Sequence, residues 1–212
     1  RAAARAFLRA FVQHLLNRVG SAFLTVDYEL MWNYRTTVPA HRAEYRDWNL
    51  EACQVARAAA AEIGMADRLK LMPIVNADPV RAADKNLGGG NPPNHTPQQW
   101  LLDVVGAADA LGIDTYAYDP QKPASAETTL RIVKFWKDHY AQDKPIYVTE
   151  NGFSTVMQAD PAYPAEGHHA RGTERQQADY FGAVMDGLVE WNRPGGPLDN
   201  RVRAFCFWTY RD

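Results

Sequence analysis

Strand patterns and helical patterns alternate along this chain from one end to the other. Short apolar runs rich in β-branched and aromatic residues are separated by longer stretches in which apolar residues recur at helical spacing. Successive strand patterns lie about 30 to 50 residues apart, which leaves room for one helix and its loops. This alternation predicts an α/β fold in which helices cover a mostly parallel sheet. The predicted strands are 22–26, 69–75, 114–118, 146–149 and 202–210, and the predicted helices are 3–18, 49–64, 97–111, 125–141 and 173–191.

Two architectures place helices around a parallel sheet in this order. A doubly wound sheet that binds a dinucleotide needs a GxGxxG turn after its first strand, and no such turn is present. The three glycines at 88–90 lie in a long loop and are not followed by the Lys-Ser/Thr of a phosphate-binding loop. A (β/α)8 TIM barrel that lacks its first strands therefore fits better. Because 212 residues suffice for one sizeable core, residues 1–212 are interpreted as a single domain.

The composition excludes several other classes of protein. Apolar residues make up 46% of the chain and charged residues 23%, which is ordinary for a globular protein. The 23 basic residues are scattered and are balanced by 25 acidic ones, so no nucleic-acid surface is predicted. No apolar run is long enough to predict a membrane span. Cys53 and Cys206 form no CxxC pair and are interpreted as two buried free thiols.

Two glutamates stand where predicted strands end. The apolar run 146–149 ends at Glu150, and Asn151-Gly152 is then predicted to form a turn. Glu29 follows the first predicted strand. In a barrel, both carboxylates would point into one pocket at the carboxyl ends of the strands. Glycoside hydrolysis needs such a pair, with about 5 Å between the carboxyl groups for retention of configuration and roughly 6.5–9.5 Å for inversion.

The segment Ile146–Gly152 resembles the nucleophile motif of the family 1 β-glycosidases and of their family 5-like relatives in the large clan of retaining (β/α)8 glycosidases. In that clan the acid/base Glu ends strand 4 and the nucleophile Glu ends strand 7. The resemblance implies that Glu29 is the acid/base and Glu150 the nucleophile. It also implies that the chain from about Arg9 onward holds about strands 4 to 8, the C-terminal portion of a barrel. The N-terminal half would then be missing, and since the chain begins at Arg1 inside a helical pattern, its localisation is left open.

The same resemblance implies further contacts with the nucleophile and the sugar. The final strand, Phe205–Tyr210, resembles the clan's strand 8, whose Trp lines a sugar subsite and corresponds to Trp208. Tyr118, or less well Tyr116, matches the Tyr that ends strand 6 and hydrogen-bonds the nucleophile. Tyr28 departs from the pattern, because an Asn that holds the sugar 2-hydroxyl usually precedes the acid/base Glu. This departure indicates a divergent family, a substrate without that hydroxyl, or a barrel that has lost activity.

Other candidate site residues follow from their positions in the predicted sheet. Asn76 ends the second predicted strand, where it is placed to contact a substrate hydroxyl, although a plain turn explains the sequence Asn-Ala-Asp-Pro almost as well. Trp32 lies at the same predicted rim and is a candidate for stacking on a sugar. Asn151, which follows the predicted nucleophile, is a third candidate for substrate binding. The adjacent histidines at 168–169 belong to no HExxH motif, so no metal site is predicted.

These features together predict a glycosidase, an O-glycosyl hydrolase that acts by a retaining double-displacement mechanism. The expected substrate is an oligosaccharide, a polysaccharide or another glycoside, and no cofactor is expected. The alternative is a catalytically silent carbohydrate-binding barrel, which the Tyr28 departure favours. A metal-dependent barrel hydrolase and an inactive fragment are two further alternatives. The predicted rim loops carry no signature of a particular sugar or linkage.

Overall fold

A computed structural model of the chain describes residues 1–25, 39–76, 97–115, 126–155, 171–172 and 174–211. Strands and helices alternate through these residues, which confirms the predicted α/β fold. The helices are α1 (Ala2–Val19), α2 (Pro39–Glu62), α3 (Gln99–Gly106), α4 (Ala126–His139) and α5 (Glu174–Trp191). The strands are β1 (Ala22–Leu24), β2 (Leu69–Leu71), β3 (Ile74–Asn76), β4 (Leu111–Thr115), β5 (Ile146–Thr155), β6 (Arg171–Gly172) and β7 (Val202–Arg211).

The chain divides into two compact units, each with its own buried apolar residues. Organisation of residues 1–212 as a single domain therefore stays a prediction. No helix among the described residues is both long enough and apolar enough to span a bilayer. The first unit comprises Arg1–Asn76, Thr96–Gly112 and Tyr140–Pro145, and the second comprises Ala77–His95, Ile113–His139 and Ile146–Asp212.

The first unit is built on two long helices that pack through small residues. α1, which was predicted over 3–18, is followed by Gly20, whose φ of 76° suits glycine and whose N–H donates to the Leu16 carbonyl at 2.8 Å. Ala56, Ala59 and Ala60 of α2 are fully buried, so their small side chains let other elements lie close to the α2 backbone. The core of the unit comprises Val12, Leu16, Cys53, Ala56, Ala59, Ala60, Leu69, Leu71 and Ala108.

The predicted strand 69–75 is divided into two short strands. Its first part, β2, pairs in parallel with β1. Pro73 has no N–H to donate to a sheet, and it lies in the break between β2 and β3. β3 then runs beside the start of β4, where the Gly112 N–H donates to the Pro73 carbonyl at 2.9 Å. The proline thus separates two pairings that the apolar run alone does not distinguish.

The predicted helix 97–111 ends earlier than expected. α3 stops at Gly106, and Leu111 and Gly112 belong to β4, so Gly112 does not terminate a helix. Asp109 lies in the connection, where its Oδ2 accepts a hydrogen bond from the Leu71 N–H at 2.8 Å. This contact holds the connection against β2. It joins residues far apart in sequence, so the local spacing of apolar residues does not predict it.

The predicted helix 49–64 begins earlier than expected, at Pro39. Tyr45 and Asn49 are both buried and lie four residues apart, so the buried face of α2 already includes them. Glu44 and Asp47 lie on the exposed face. The charged and aromatic residues near these positions obscure the helical period, which is why the predicted helix starts only at residue 49.

The second unit is centred on β5. β7 pairs in parallel with β5 along one edge, and β4 and the short β6 lie along the other edge. α5 packs against β5 and against α4. The predicted helices 125–141 and 173–191 are confirmed with bounds shifted by one or two residues. The buried apolar residues of this unit are Ile113, Leu130, Ile132, Val133, Phe135, Trp136, Ile146, Val148, Tyr180, Val184, Leu188, Leu198 and Val202.

Two expectations for the second unit were wrong. β5 continues through Asn151 and Gly152 to Thr155, because these residues pair with β7, so they form strand rather than a turn. Cys206 is exposed rather than buried. Cys206 alternates with partly buried phenylalanines in β7. The ring of one of them, Phe207, packs against the ring of Phe181 on α5, with the two ring centroids 4.5 Å apart. Side chains that alternate in this way leave the thiol on the opposite face.

Candidate functional site

Glu150 lies at a β-bulge in β5 of the second unit. Between Val148 and Asn151, β5 has two residues, Thr149 and Glu150, whereas β7 has one residue opposite them. An extra residue of this kind bends the strand and takes a side chain out of strict alternation. Bulges are frequent beside active sites, where they aim a side chain.

Burial along β5 shows the effect of this bulge. Ile146, Val148 and Asn151 are fully buried, whereas Thr149 and Glu150 are partly exposed. Strict alternation would put Glu150 on the same side as Ile146 and Val148. The extra residue instead leaves Glu150 on the more exposed side with Thr149, and Asn151 returns to the buried side. The Glu150 carboxylate is thereby partly exposed.

The residue that precedes Glu150 is anchored on β4. The Thr149 hydroxyl donates to Oδ1 of Asp114 at 2.6 Å. Asp114 is fully buried, so its Oδ1 depends on a hydrogen-bond partner within the protein. The bond therefore holds β5 against β4 on the amino-terminal side of Glu150.

The residue that follows Glu150 is anchored on a strand and a helix. Nδ2 of Asn151 donates to the Thr115 carbonyl and to Oη of Tyr180, both at 2.8 Å. Tyr180 lies on α5, and its Oη is 2.7 Å from Oγ1 of Thr129 on α4. All these contacts are within the protein, so they give Asn151 a structural role. Its predicted contact with substrate stays a prediction.

The direction of the hydrogen bonds at Tyr180 follows from the Asn151 amide, whose Nδ2 can only donate. Desolvation raises the pKa of the Tyr180 phenol, and the hydrogen bonds with Thr129 and Asn151 oppose that effect. The phenol is therefore protonated at neutral pH. Because its oxygen accepts from Asn151, its own O–H is available to donate to Thr129 Oγ1. A continuous chain of hydrogen bonds thus links α4, α5 and β5.

The remaining candidate residues are described partly or not at all. Asn76 ends β3 as predicted, and the backbone of Trp208 in β7 pairs with Gly152, two residues beyond Glu150. The side chains of Asn76 and Trp208 lie outside the described part of the chain. Their contacts with substrate, and the pairing of two glutamates, stay predictions. The candidates that lie wholly outside the described residues are Glu29, Trp32, Tyr116 and Tyr118.

The acidic, histidine and cysteine side chains are the candidate ligands of a metal centre. Within the described ranges, no three of these side chains come together in a group that could hold a metal ion. The expectation that the protein needs neither metal nor cofactor stays a prediction.

Sequence reasoning did not find the residues that anchor Glu150. Asp114 follows Ile113 in an apolar strand, and a carboxylate in such a strand is the signal that could have marked it, since a buried charge needs a partner. Tyr180 lies in the predicted helix 173–191, and nothing in its sequence context singles it out. No spacing rule predicts that its hydroxyl meets Asn151, because the two residues are 29 positions apart.

No protein-family profile matches the sequence, and no curated protein matches it significantly. Solved structures do match. CJP38, a β-1,3-glucanase and allergen of Cryptomeria japonica pollen, aligns with 96% of this chain and 68% of its own at 11% identity, with a TM-score of 0.54. One of two fungal β-1,4-galactanases aligns with 96% of this chain and 57% of its own at 11% identity, with a TM-score of 0.52. An endo-laminarinase from Formosa Hel1_33_131 aligns with 86% of this chain and 50% of its own at 18% identity, with a TM-score of 0.51.

These similarities concern the fold. The chain has an α/β fold with parallel sheets, and its structural neighbours are TIM-barrel glycoside hydrolases. Identities of 11% to 18% carry no information on individual site residues. The chain spans between half and about two thirds of the length of these three neighbours.

Proposed function

We propose that this chain is part of a glycoside hydrolase that cleaves O-glycosidic bonds by a retaining double displacement, with Glu150 as the nucleophile. The observation that carries the proposal is the bulge in β5, which turns one carboxylate out of the buried side of a strand whose neighbouring residues are both anchored. A nucleophile needs this combination of access and fixed orientation. The glycoside hydrolase neighbours support the same reaction class at the level of the fold.

In the proposed reaction, two glutamates share the chemistry. The Glu150 carboxylate attacks the anomeric carbon and forms a glycosyl ester, while Glu29 donates a proton to the oxygen of the departing group. Glu29 then removes a proton from a water molecule, whose oxygen attacks the same carbon and releases Glu150. Each glutamate ends the cycle as it began, and one glycosidic bond has been hydrolysed. The proposal places β1 as strand 4 and β5 as strand 7 of a (β/α)8 barrel.

A β-linked polysaccharide is the proposed substrate. The neighbours are named for action on β-1,3-glucan, β-1,4-galactan and laminarin, all of which are polymers. Trp208 and Trp32 would stack on sugar rings, Asn76 would contact a hydroxyl, and Tyr118 or Tyr116 would hydrogen-bond the nucleophile. An aromatic ring suits the apolar face of a sugar.

Replacement of the nucleophile tests the proposal most directly. The chain and its Glu150→Gln variant are assayed on laminarin, β-1,4-galactan and aryl β-glycosides. Glu150→Gln should lower the rate by several orders of magnitude, because an amide cannot form the glycosyl ester. Glu190→Gln, at an exposed position on α5, is the matched control and should keep the wild-type rate. Turnover by Glu150→Gln at the wild-type rate would refute the assignment.

Covalent trapping identifies the attacking residue independently of substrate screening. A 2-fluoro glycoside with a good leaving group should add the mass of one fluorosugar to the chain, because the fluorine makes hydrolysis of the glycosyl ester slow. Peptide mapping should then find the label on Glu150. A label on another residue would move the nucleophile, and turnover without any label would argue for inversion rather than retention.

The second candidate function is carbohydrate binding without catalysis. It is favoured by Tyr28, which stands where the clan usually has the Asn that holds the sugar 2-hydroxyl. A binding barrel would show saturable binding of a glucan or galactan with no release of reducing ends and no covalent label. Release of reducing ends that depends on Glu150 would exclude it.

A further inference from the structure

Both chain neighbours of Glu150 are hydrogen-bonded to other elements of the second unit. Thr149 is bonded to Asp114 on β4, and Asn151 is bonded to Tyr180 on α5. Each bond is short, at 2.6 Å and 2.8 Å respectively. The two anchors therefore bracket a single residue, which is the one with the candidate chemistry.

The bulge explains why such anchors matter here. In a regular strand the ladder of backbone hydrogen bonds sets the direction of each side chain. At a bulge the extra residue is left out of the ladder, so the ladder alone restrains it less. Between Val148 and Asn151 the orientation of β5 therefore depends more strongly on side-chain contacts.

Tyr180 is the residue that connects the second anchor to the helices. Its hydroxyl is within hydrogen-bond distance of Asn151 and of Thr129, and all three residues are buried. Deleting the hydroxyl would leave a buried donor of Asn151 with one acceptor fewer and would remove the partner of the Thr129 hydroxyl. Buried polar groups that lose a partner shift to find another. The shift would move the peptide that follows Glu150.

We propose that Tyr180 is a positioning residue for Glu150: through Asn151, its hydroxyl holds the carboxyl side of the bulge so that the carboxylate keeps the orientation required for attack. This inference rests on the proposed role of Glu150 as nucleophile. Tyr180 itself lies on α5 and acts through Asn151.

Tyr180→Phe is the first test, with Tyr140→Phe as its matched control. Tyr140 is also buried, and its hydroxyl accepts a hydrogen bond from the Gln98 N–H at 3.2 Å in the first unit. Tyr180→Phe should lower kcat about 10- to 100-fold with little change in KM, since small displacements of a reacting group have effects of this size. Tyr140→Phe should leave kcat within about twofold of wild type. An equal fall in both variants, or none in Tyr180→Phe, would overturn the inference.

A second variant tests the inference even if Tyr180→Phe fails to fold. Thr129→Val keeps the shape of the side chain and removes the hydroxyl at the far end of the hydrogen-bond chain. It should also lower kcat, but by less than Tyr180→Phe does, because Asn151 keeps its bond to Tyr180. A rise in KM with unchanged kcat in both variants would show an effect on binding and would contradict positioning of the nucleophile.

An external nucleophile separates action through Glu150 from general damage to the site. In Glu150→Gly, azide can attack the anomeric carbon of an activated aryl glycoside, release the phenol and form a glycosyl azide. Adding Tyr180→Phe to this variant should leave the azide-dependent rate unchanged within about twofold, because the group that Tyr180 positions is gone. A further tenfold fall would show that Tyr180 acts on another part of the site, and the inference would be wrong.

Hydrogen exchange tests the anchoring without substrate. Backbone amides of residues 149–152 are followed by NMR in wild type, Tyr180→Phe and Tyr140→Phe. Exchange should accelerate only in Tyr180→Phe, because the bulge then opens more readily. If wild type cleaves no glycoside and takes no label, the proposed function fails while this measurement still decides the anchoring. Equal exchange in the three proteins would overturn the inference whatever the activity.

Discussion

The two units of this chain bury different kinds of residue. In the first unit, the buried residues that the structure describes are almost all apolar, and Asn49 is the one buried polar residue among them. Among the described residues of the second unit, four polar or charged ones are buried together with the apolar ones. These four are Asp114, Thr115, Thr129 and Asn151.

The two units therefore differ in how far they bury polar groups. Burying a polar group is unfavourable unless it finds a hydrogen-bond partner, so an apolar core is the simpler way to stabilise a fold. The first unit follows that course, with small alanines of α2 in its core. The second unit instead has buried hydrogen bonds around the bulge that holds Glu150. Polar networks of this kind favour one arrangement of the chain over others, as the proposed role of Glu150 requires.

Cavity formation in the first unit should have the largest effect on stability. Leu16→Ala removes a fully buried side chain from the core and should lower the free energy of unfolding by about 2–5 kcal/mol. Phe7→Ala on the same helix is the control, because Phe7 is 71% exposed, and it should change stability by less than about 0.5 kcal/mol. Urea denaturation measures both. Equal effects of the two substitutions would break the comparison, since α1 would then not depend on its buried face.

Two glycines of α5 in the second unit should respond differently to substitution by alanine. A methyl group at Gly182 would meet no atom within 4 Å, so Gly182→Ala should stabilise the protein by about 0.5–1 kcal/mol through helix propensity. A methyl group at Gly187 would overlap with Cδ1 of Leu130 on α4. Gly187→Ala should therefore be the less stable of the two variants. Thermal unfolding measures the difference, and equal stabilisation by both would show that α4 and α5 pack loosely.

The smallest expected effect is a pH dependence from His139. Burial lowers the pKa of His139, with Asp138 opposing the shift and Lys134 adding to it. The folded state therefore binds a proton less readily than the unfolded chain, whose histidine has a pKa of about 6.5. This contribution to stability is present above that value and is lost as the pH falls below it.

A histidine substitution isolates that contribution. His139→Gln should show a smaller loss of stability than wild type when urea denaturation is compared at neutral and at mildly acidic pH. His14→Gln, at an exposed position on α1, should keep the wild-type pH dependence. If both variants lost the pH dependence equally, the effect would not come from the partly buried ring of His139 in the second unit.

Much of the secondary structure could be predicted because it depends on local patterns. The helices α1, α4 and α5 and the strand that leads to Glu150 were all predicted within a few residues. The errors lie where a distant partner decides the boundary. Asn151-Gly152 has the sequence of a turn, yet pairing with β7 keeps it extended. The start of β4 resembles the end of a helix until the contact of Asp109 with β2 is known.

The candidate site, too, could be predicted from the sequence only in part. The sequence by itself determined that a glutamate follows an apolar strand in an α/β chain, because the hydrophobic period and the order of the elements are local properties. Only the tertiary structure decided that β5 contains a bulge, that Glu150 lies on its more exposed side and that Asn151 is bonded to Tyr180. The register of a strand is set by the strand beside it, and hydrogen bonds between residues far apart in sequence exist only after the chain has folded.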